Sequence, residues 1–376
     1  MLTRELQLGN LTNPHWQSAK SLNFTELKEE YPGIKGIISQ WTNVSDENAA
    51  LQFLPNDGPA PFSPSSTQLF ETPSLYVGED TGKKIRELLA DGVVGNATIV
   101  LDAPWSNGTS STIHGHLPGT DGGDETLLVY THSDGPTIVE ENGKPSLLTL
   151  HDGDHSRPLL GPILLLTIAE YFAQHPLSIN LDFVITTGHM SGDLLDEENW
   201  MEERPEIMEN AKAAVVCEHF GALEWKDTWN TELKKWEYKP TGKLEPMWTM
   251  GNETANSELL HEKYFDAFEG TSDNLRMAMV VPQEVNGTLS KWYGAGGSGT
   301  LSKSGIPTIG CVFKLSFLLC LLMMYISRII PQPDYLWAAI PDGGWSRLDF
   351  DTVVEQIEII LRLVQSLDEA YVDGQL

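Results

Sequence analysis

The residues whose types and spacing could do chemistry are gathered in one stretch, LLVYTHSDGPTIVEENG, Leu127 to Gly143. An apolar, β-prone run ends in His132, Asp134, Glu140 and Glu141 set around Gly135 and Gly143, which is how a buried strand delivers polar groups to the end of a sheet. An imidazole two residues before a carboxylate suits a metal ligand or a general base. The same spacing also suits a solvated loop after a strand, so His-x-Asp alone leaves both readings open.

Two further strand ends repeat the pattern. Leu181 to Thr186 (LDFVIT) delivers Thr187, Gly188, His189 and Met190, and Ala211 to Cys217 (AKAAVVC) delivers Glu218, His219, Phe220 and Gly221. Each cluster alone also fits a satisfied polar loop. Three of them at the carboxyl ends of successive core strands point to the edge where open α/β sheets bind ligands. His132, Glu140, Glu141, His189, Glu218 and His219 are the candidate metal ligands, with His189 or one of the paired glutamates, Glu140 and Glu141, as the candidate for taking a proton and Asp134 as a further candidate catalytic residue.

The elements that must position these residues follow in chain order. Residues 1 to about 30 are polar, with a short helix expected near Phe24 to Glu30; Gly33 to Trp41 is a β-type run, and Asn43 to Thr72 reads as a long loop rich in Pro, Ser and Asp. Pro73 to Val77 reads as a strand, Gly78 to Asp91 as an amphipathic helix and Asn96 to Ala103 as another strand. A short strand is expected around Ile113. Residues 147 to 175 carry apolar helical segments, of which Gly161 to Gln174 is a buried helix with Pro at its start. Trp225, Trp229, Trp236 and Trp248 lie among charged residues and suit either a substrate channel or a shielded interface. The chain closes on an amphipathic helix, Asp349 to Asp373, with Val353, Ile357, Ile360, Leu361, Val364 and Leu367 at helical spacing.

Composition narrows the function classes. The chain has 376 residues, 40% hydrophobic and 20% charged, which is an ordinary globular balance. Its 24 basic and 53 acidic residues give a net charge of -29, which opposes contact with a phosphate backbone, so nucleic acid is excluded as a partner. Sequons at Asn10, Asn23, Asn43, Asn96, Asn107, Asn252 and Asn286 favour a secreted glycoprotein. The amino-terminal MLTRELQLGN has no apolar h-region, so a signal peptide is absent or missing from this sequence. Cys217, Cys311 and Cys320 are too few, and odd in number, for a disulfide framework.

Two resemblances add to this reading. Residues 31 to 112, with a strand, a loop, a second strand, a Gly-led helix and a final strand, resemble the protease-associated domain, which implies a lid or access element beside a peptidase core. The stretch HGHLPGTDGGDETLLVYTHSDG, His114 to Gly135, resembles the zinc aminopeptidase superfamily, where a Pro-Gly turn precedes a strand ending in His-x-Asp. The resemblance implies His132 as a zinc ligand and Asp134 as the carboxylate that orients it. It implies that Glu140-Glu141-Asn142-Gly143 stands where the family has an acidic pair opening a helix, with Glu in place of Asp, and that Glu218 falls on a ligand position. The sequence departs from the family at the strand after Thr186, where a Glu-Glu pair is replaced by His189-Met190, and before Gly305-Ile306-Pro307, where the last ligand His is replaced by Gly299. A thioether does not replace a carboxylate on zinc. His151, Asp152, Asp154 and His155 have no counterpart in the family and read as an exposed loop.

The expected fold is α/β: a three-layer α/β/α sandwich with a mixed central sheet at 113–376, a small α/β protease-associated domain at 31–112, and an amino-terminal remnant at 1–30. The apolar run Cys311 to Ile329 is too short in its uninterrupted part for the roughly 20 residues of a membrane span. It reads as a retained intron, because the flanking text joins into strand-and-turn sequence without it, and a membrane is not an expected partner. The expected function is a secreted metal-dependent hydrolase of peptide bonds, aminopeptidase- or carboxypeptidase-like, with one or two zinc ions activating water and a peptide or other small amide as substrate. The alternative is a catalytically degenerate peptidase-fold protein acting in binding or structure, which Met190 and Gly299 favour.

Overall fold

The computed structural model describes residues 3–5, 33, 35–40, 43–51, 74–91, 98, 111–133, 136–141, 144–149, 156–187, 195–217, 220–244, 247–251, 257–273, 275, 277–280, 284–285, 288–289, 305–313 and 348–376. The strands are β1 (Thr3–Glu5), β2 (Ile37–Gln40), β3 (Ser74–Val77), β4 (Ile113–Leu117), β5 (Thr126–His132), β6 (Pro136–Glu141), β7 (Lys144–Thr149), β8 (Asn180–Thr186), β9 (Ala211–Cys217), β10 (Leu223–Asn230), β11 (Lys235–Leu244), β12 (Met247–Gly251), β13 (Met277–Val280), β14 (Glu284–Val285), β15 (Thr288–Leu289) and β16 (Thr308–Phe313). The helices are α1 (Asp46–Leu51), α2 (Glu79–Ala90), α3 (Ser156–Gln174), α4 (Leu195–Glu203), α5 (Pro205–Asn210), α6 (Ser257–Phe268) and α7 (Phe350–Val372).

A seven-stranded sheet in the order β13-β12-β16-β9-β5-β8-β4 forms the centre. Strands β16, β9, β5 and β8 run parallel, while β12 and β4 pair antiparallel at the flanks, so the sheet is mixed. Every residue of β5 and β8 is buried, as a central parallel strand covered on both faces requires. On one face Leu127, Val129, Phe183 and Val215 pack against Leu164, Leu165 and Ile168 of α3, Tyr264 of α6 and Ile359, Ile360 and Leu363 of α7. On the other, Leu128, Tyr130, Val184 and Val216 pack against Trp200 of α4 and Ile207 of α5. The result is the three-layer α/β sandwich with a mixed central sheet expected from the sequence.

Helix α7 is capped by Asp349, whose Oδ1 accepts from the Thr352 amide at 3.0 Å. Its buried stripe includes Ile359 and Leu363 and leaves Ile357 and Leu361 only half-buried, so the helix is rotated slightly from the face expected from spacing alone. Helix α3 differs more. It begins at Ser156, five residues before the expected start, and Pro162 lies inside it. An internal proline removes one helical hydrogen bond, and burial of Leu164, Leu165, Ile168 and Phe172 outweighs that loss at about 1.5–3 kcal/mol for each large apolar side chain removed from water.

A separate parallel sheet, β1-β2-β3, carries α1 and α2. Helix α1 lies within the stretch expected to be loop; Asp46 ties it to α2 by accepting from the Thr81 amide at 3.2 Å and the Thr81 hydroxyl at 2.8 Å. The Trp-rich region is the antiparallel hairpin β10–β11, whose register pairs Trp229 with Trp236. It anchors the amino-terminal unit through Asp227, which accepts from the Ser45 amide at 2.9 Å and from Asn48 Nδ2 at 2.7 Å. The helix expected near Phe24 to Glu30 and nearly all of the strand expected at Asn96 to Ala103 lie outside the described residues. Cys311 to Phe313, the start of the suspected intron, form the end of β16 and pair with β12; residues 314–329 lie outside the described residues.

Candidate active site

The carboxyl ends of three adjacent parallel strands meet on one edge of the sheet. In the order β9-β5-β8, His132 is in register with Thr186, and Tyr130 with Val216. Side chains tie the three ends together. The Thr131 hydroxyl donates to the Cys217 carbonyl at 2.7 Å, linking β5 to β9. The Ser133 amide and hydroxyl both donate to the Thr186 carbonyl, at 2.8 and 3.1 Å, linking β5 to β8. Tyr130 Oη and Thr186 Oγ1 lie 2.7 Å apart just below.

Two glycines fix what surrounds this edge. Gly161 sets α3 against β5, because a Cβ there would lie 2.3 Å from Thr131 Oγ1. Gly221 has φ +71°, and a Cβ there would lie 2.4 Å from Val353 Cγ2, so only glycine takes this turn without strain. The Gly221 amide donates to Gln356 Oε1 at 2.7 Å and its carbonyl accepts from the Asp349 amide at 2.8 Å. The turn after β9 is thereby locked to the first turns of α7.

Of the candidate residues, His132 is the one whose side chain is described: it ends β5 and is 7% exposed, a buried imidazole at the carboxyl edge of the sheet. Thr187 and Cys217, the last described residues of their segments, are also buried and carry the chain to the positions of His189, Glu218 and His219. Those three residues, with Asp134, Met190 and Gly299, lie outside the described residues. Among the described residues no group of three His, Cys, Asp or Glu side chains is arranged to hold a metal ion.

Glu140 and Glu141 require a correction. They do not open a helix: they are the last two residues of β6, which pairs antiparallel with β7, Glu141 opposite Lys144. The signal was present in the sequence, since Asn142-Gly143 between two β-prone runs is a strong short-range hairpin indicator. The expected helical segment from residue 147 is likewise replaced at its start by β7.

No protein-family model matches this chain, and no curated protein matches it by sequence. Solved structures do. One structure of BSAP, a zinc aminopeptidase from Bacillus subtilis, aligns over 97% of this chain and 68% of its own length with a TM-score of 0.53 at 13% identity. Another structure of the same enzyme aligns over 97% and 74% with a TM-score of 0.52 at 12% identity. An aminopeptidase from Aneurinibacillus sp. strain AM-1 aligns over 96% and 73%, with a TM-score of 0.46 at 12% identity. The chain therefore has the fold of the Bacillus subtilis zinc aminopeptidase.

Proposed function

We propose that this protein is a metal-dependent hydrolase of peptide bonds or small amides, with its site at the carboxyl edge of β9, β5 and β8. The observation that carries the reading is the buried imidazole of His132 at that edge, with the ends of the two neighbouring strands bonded to its own. The chemistry of the donor set fits zinc: His132, Glu140 or Glu141, His189, Glu218 and His219 offer imidazole nitrogen and carboxylate oxygen, the ligands zinc takes at about 2.0–2.2 Å. Zinc bound there would supply Lewis-acid polarisation of a substrate carbonyl.

The chain's own residues do the rest. Asp134, two residues after His132, is placed in sequence to hold the imidazole in one tautomer. His189, on the segment leaving β8, is the residue suited to take a proton from the attacking water and return it to the leaving amine near neutral pH. The Ser133 and Thr131 hydrogen bonds keep the three strand ends from separating, a support that donors carried just beyond different strands would need.

The amino-terminal α/β unit, read as a protease-associated domain, would border this site as an access element. The seven sequons support export, and Asn43 is exposed in a left-handed turn; a mobility shift on deglycosylation after expression in a secretory host tests that. Met190 and Gly299 favour a second reading, a peptidase fold retained for binding without turnover. Hydrolysis of aminoacyl and peptide amides, with and without a chelator and in His132→Ala, separates the two. Chelator-sensitive turnover lost in His132→Ala supports the hydrolase; no turnover of any amide in zinc-supplemented protein rejects it.

A further inference from the structure

We propose that His114, His116 and Asp182 bind a divalent transition-metal ion at the outer edge of the central sheet, independently of the site around His132. Strand β4 is the last strand on its side of the sheet among the described residues, and residues two apart on a strand face the same side. The register sets His116 opposite Asp182 and His114 opposite Val184. Both rings turn to a single oxygen: His114 Nε2 lies 2.7 Å and His116 Nδ1 3.0 Å from Asp182 Oδ1. The other oxygen, Oδ2, accepts from the Thr126 hydroxyl at 2.6 Å, the kind of bond that orients a ligating carboxylate from behind.

Charge gives the cluster its direction. Asp182 is 5% exposed, and among the described residues its side-chain partners are the two imidazoles and Thr126. Among the described residues no lysine or arginine pairs with it, and the two imidazoles supply positive charge only while protonated; a buried carboxylate without a cation is costly. A dication would supply that charge, and two imidazole nitrogens with one carboxylate oxygen form a donor set suited to zinc and its first-row neighbours.

The donors now hold one another by hydrogen bonds and are not spread around an ion. Two ligands at about 2.1 Å from zinc stand about 3.0–3.4 Å apart, so Asp182 Oδ1 and the two ring nitrogens must separate by a few tenths of an ångström and the rings must turn. They have room, since the His114 and His116 side chains are 26% and 49% exposed, and water can complete the coordination. Asp182 precedes Thr186 by four strand residues, about 13 Å at the usual rise, toward the amino end of β8. The site is thus far from the carboxyl edge, and an ion there would clip β4 onto β8.

The test is zinc titration into metal-stripped full-length protein, read by calorimetry. In a His132→Ala background, one equivalent should bind; it should vanish in His114→Gln/His116→Gln, weaken at least tenfold in Asp182→Asn, and persist in His175→Gln, which removes a different exposed imidazole. With His132 intact, the double glutamine variant should bind one equivalent fewer than its parent. Absence of zinc binding in the His132→Ala background with no difference in the His132-intact pair, binding untouched by the double substitution, or an equal loss in His175→Gln would overturn the proposal. None of these outcomes bears on hydrolysis, so this site and the one around His132 stand or fall separately.

Discussion

Asp227 joins the amino-terminal unit to the body of the protein, and its removal makes a demanding test of the packing. Its two oxygens accept from the Ser45 amide at 2.9 Å and Asn48 Nδ2 at 2.7 Å, and Asp227, Ser45 and Asn48 are all buried. In Asp227→Ala both donors lose their acceptor. Losing a buried acceptor costs a donor up to about 1–3 kcal/mol, reduced by any other partner the donor has and by relief from burying the carboxylate itself; we expect a net loss of about 2–4 kcal/mol. Burial is the largest influence on this carboxyl and raises its pKa above the ordinary 3.8, against the lowering effect of its hydrogen bonds from Asn48 and Ser45. A raised folded pKa means that the group's contribution is greatest below 3.8 and is lost as pH rises through the folded value. Asp227→Asn has no such titration, so the stability difference between wild type and this variant should move toward the variant between pH 3 and pH 7. Urea unfolding at several pH values, with proteolysis monitored in residues 33–91, provides the assay. An alanine variant within 0.5 kcal/mol of wild type, with unchanged proteolysis, would refute the role assigned to Asp227.

Gly161→Val should destabilise by about 2 kcal/mol or more, because added carbon meets Thr131 Oγ1 in a region that does not yield cheaply to overpacking; thermal unfolding equal to wild type would show that α3 does not approach β5 as described. Asp368 Oδ1 accepts from the Ser178 and Ile179 amides at 2.9 Å each, so Asp368→Ala should cost about 1–3 kcal/mol, whereas Asp368→Asn should recover part of it; identical denaturation curves for all three proteins would contradict this. Glu237 is held down to about 2 by the hydrogen bond from Lys239 first, then Asn230, with Lys235 adding less. Its contribution to the β10–β11 hairpin is complete above the ordinary 4.5 and lost as pH falls through about 2. Carboxyl NMR should show the low titration and a rise in Lys239→Ala; a midpoint near 4.5 in wild type would refute the contact.

The central sheet was legible because its strands are short apolar runs ending in polar clusters. Thr126–His132, Asn180–Thr186 and Ala211–Cys217 carry little that could be anything else, and α7 announced itself by spacing and by Asp349 at its cap. Misreadings came where two local signals competed. Asn142-Gly143 signalled a turn between β6 and β7, but the adjoining glutamates matched a helix-opening pattern in the resembling family, and the resemblance prevailed over turn chemistry. Pro162 suggested a helix start, yet the apolar face from Leu164 to Phe172 is long enough to carry the helix past it. The cluster of His114, His116 and Asp182 has no sequence signature at all, because Asp182 stands 66 residues from His116 and meets it only through the antiparallel register of β4 on β8. The edge around His132 was legible as three strand ends, and register and side-chain bonds supply what spacing cannot, the adjacency of those ends.

The most direct measurement is the zinc content of purified protein, by mass spectrometry, in wild type and His132→Ala after identical exposure to zinc and exhaustive dialysis. Wild type should retain at least one equivalent more than the variant, and the variant should keep its folded circular-dichroism spectrum. Equal zinc in the two folded proteins would contradict a metal centre at the carboxyl edge of β9, β5 and β8.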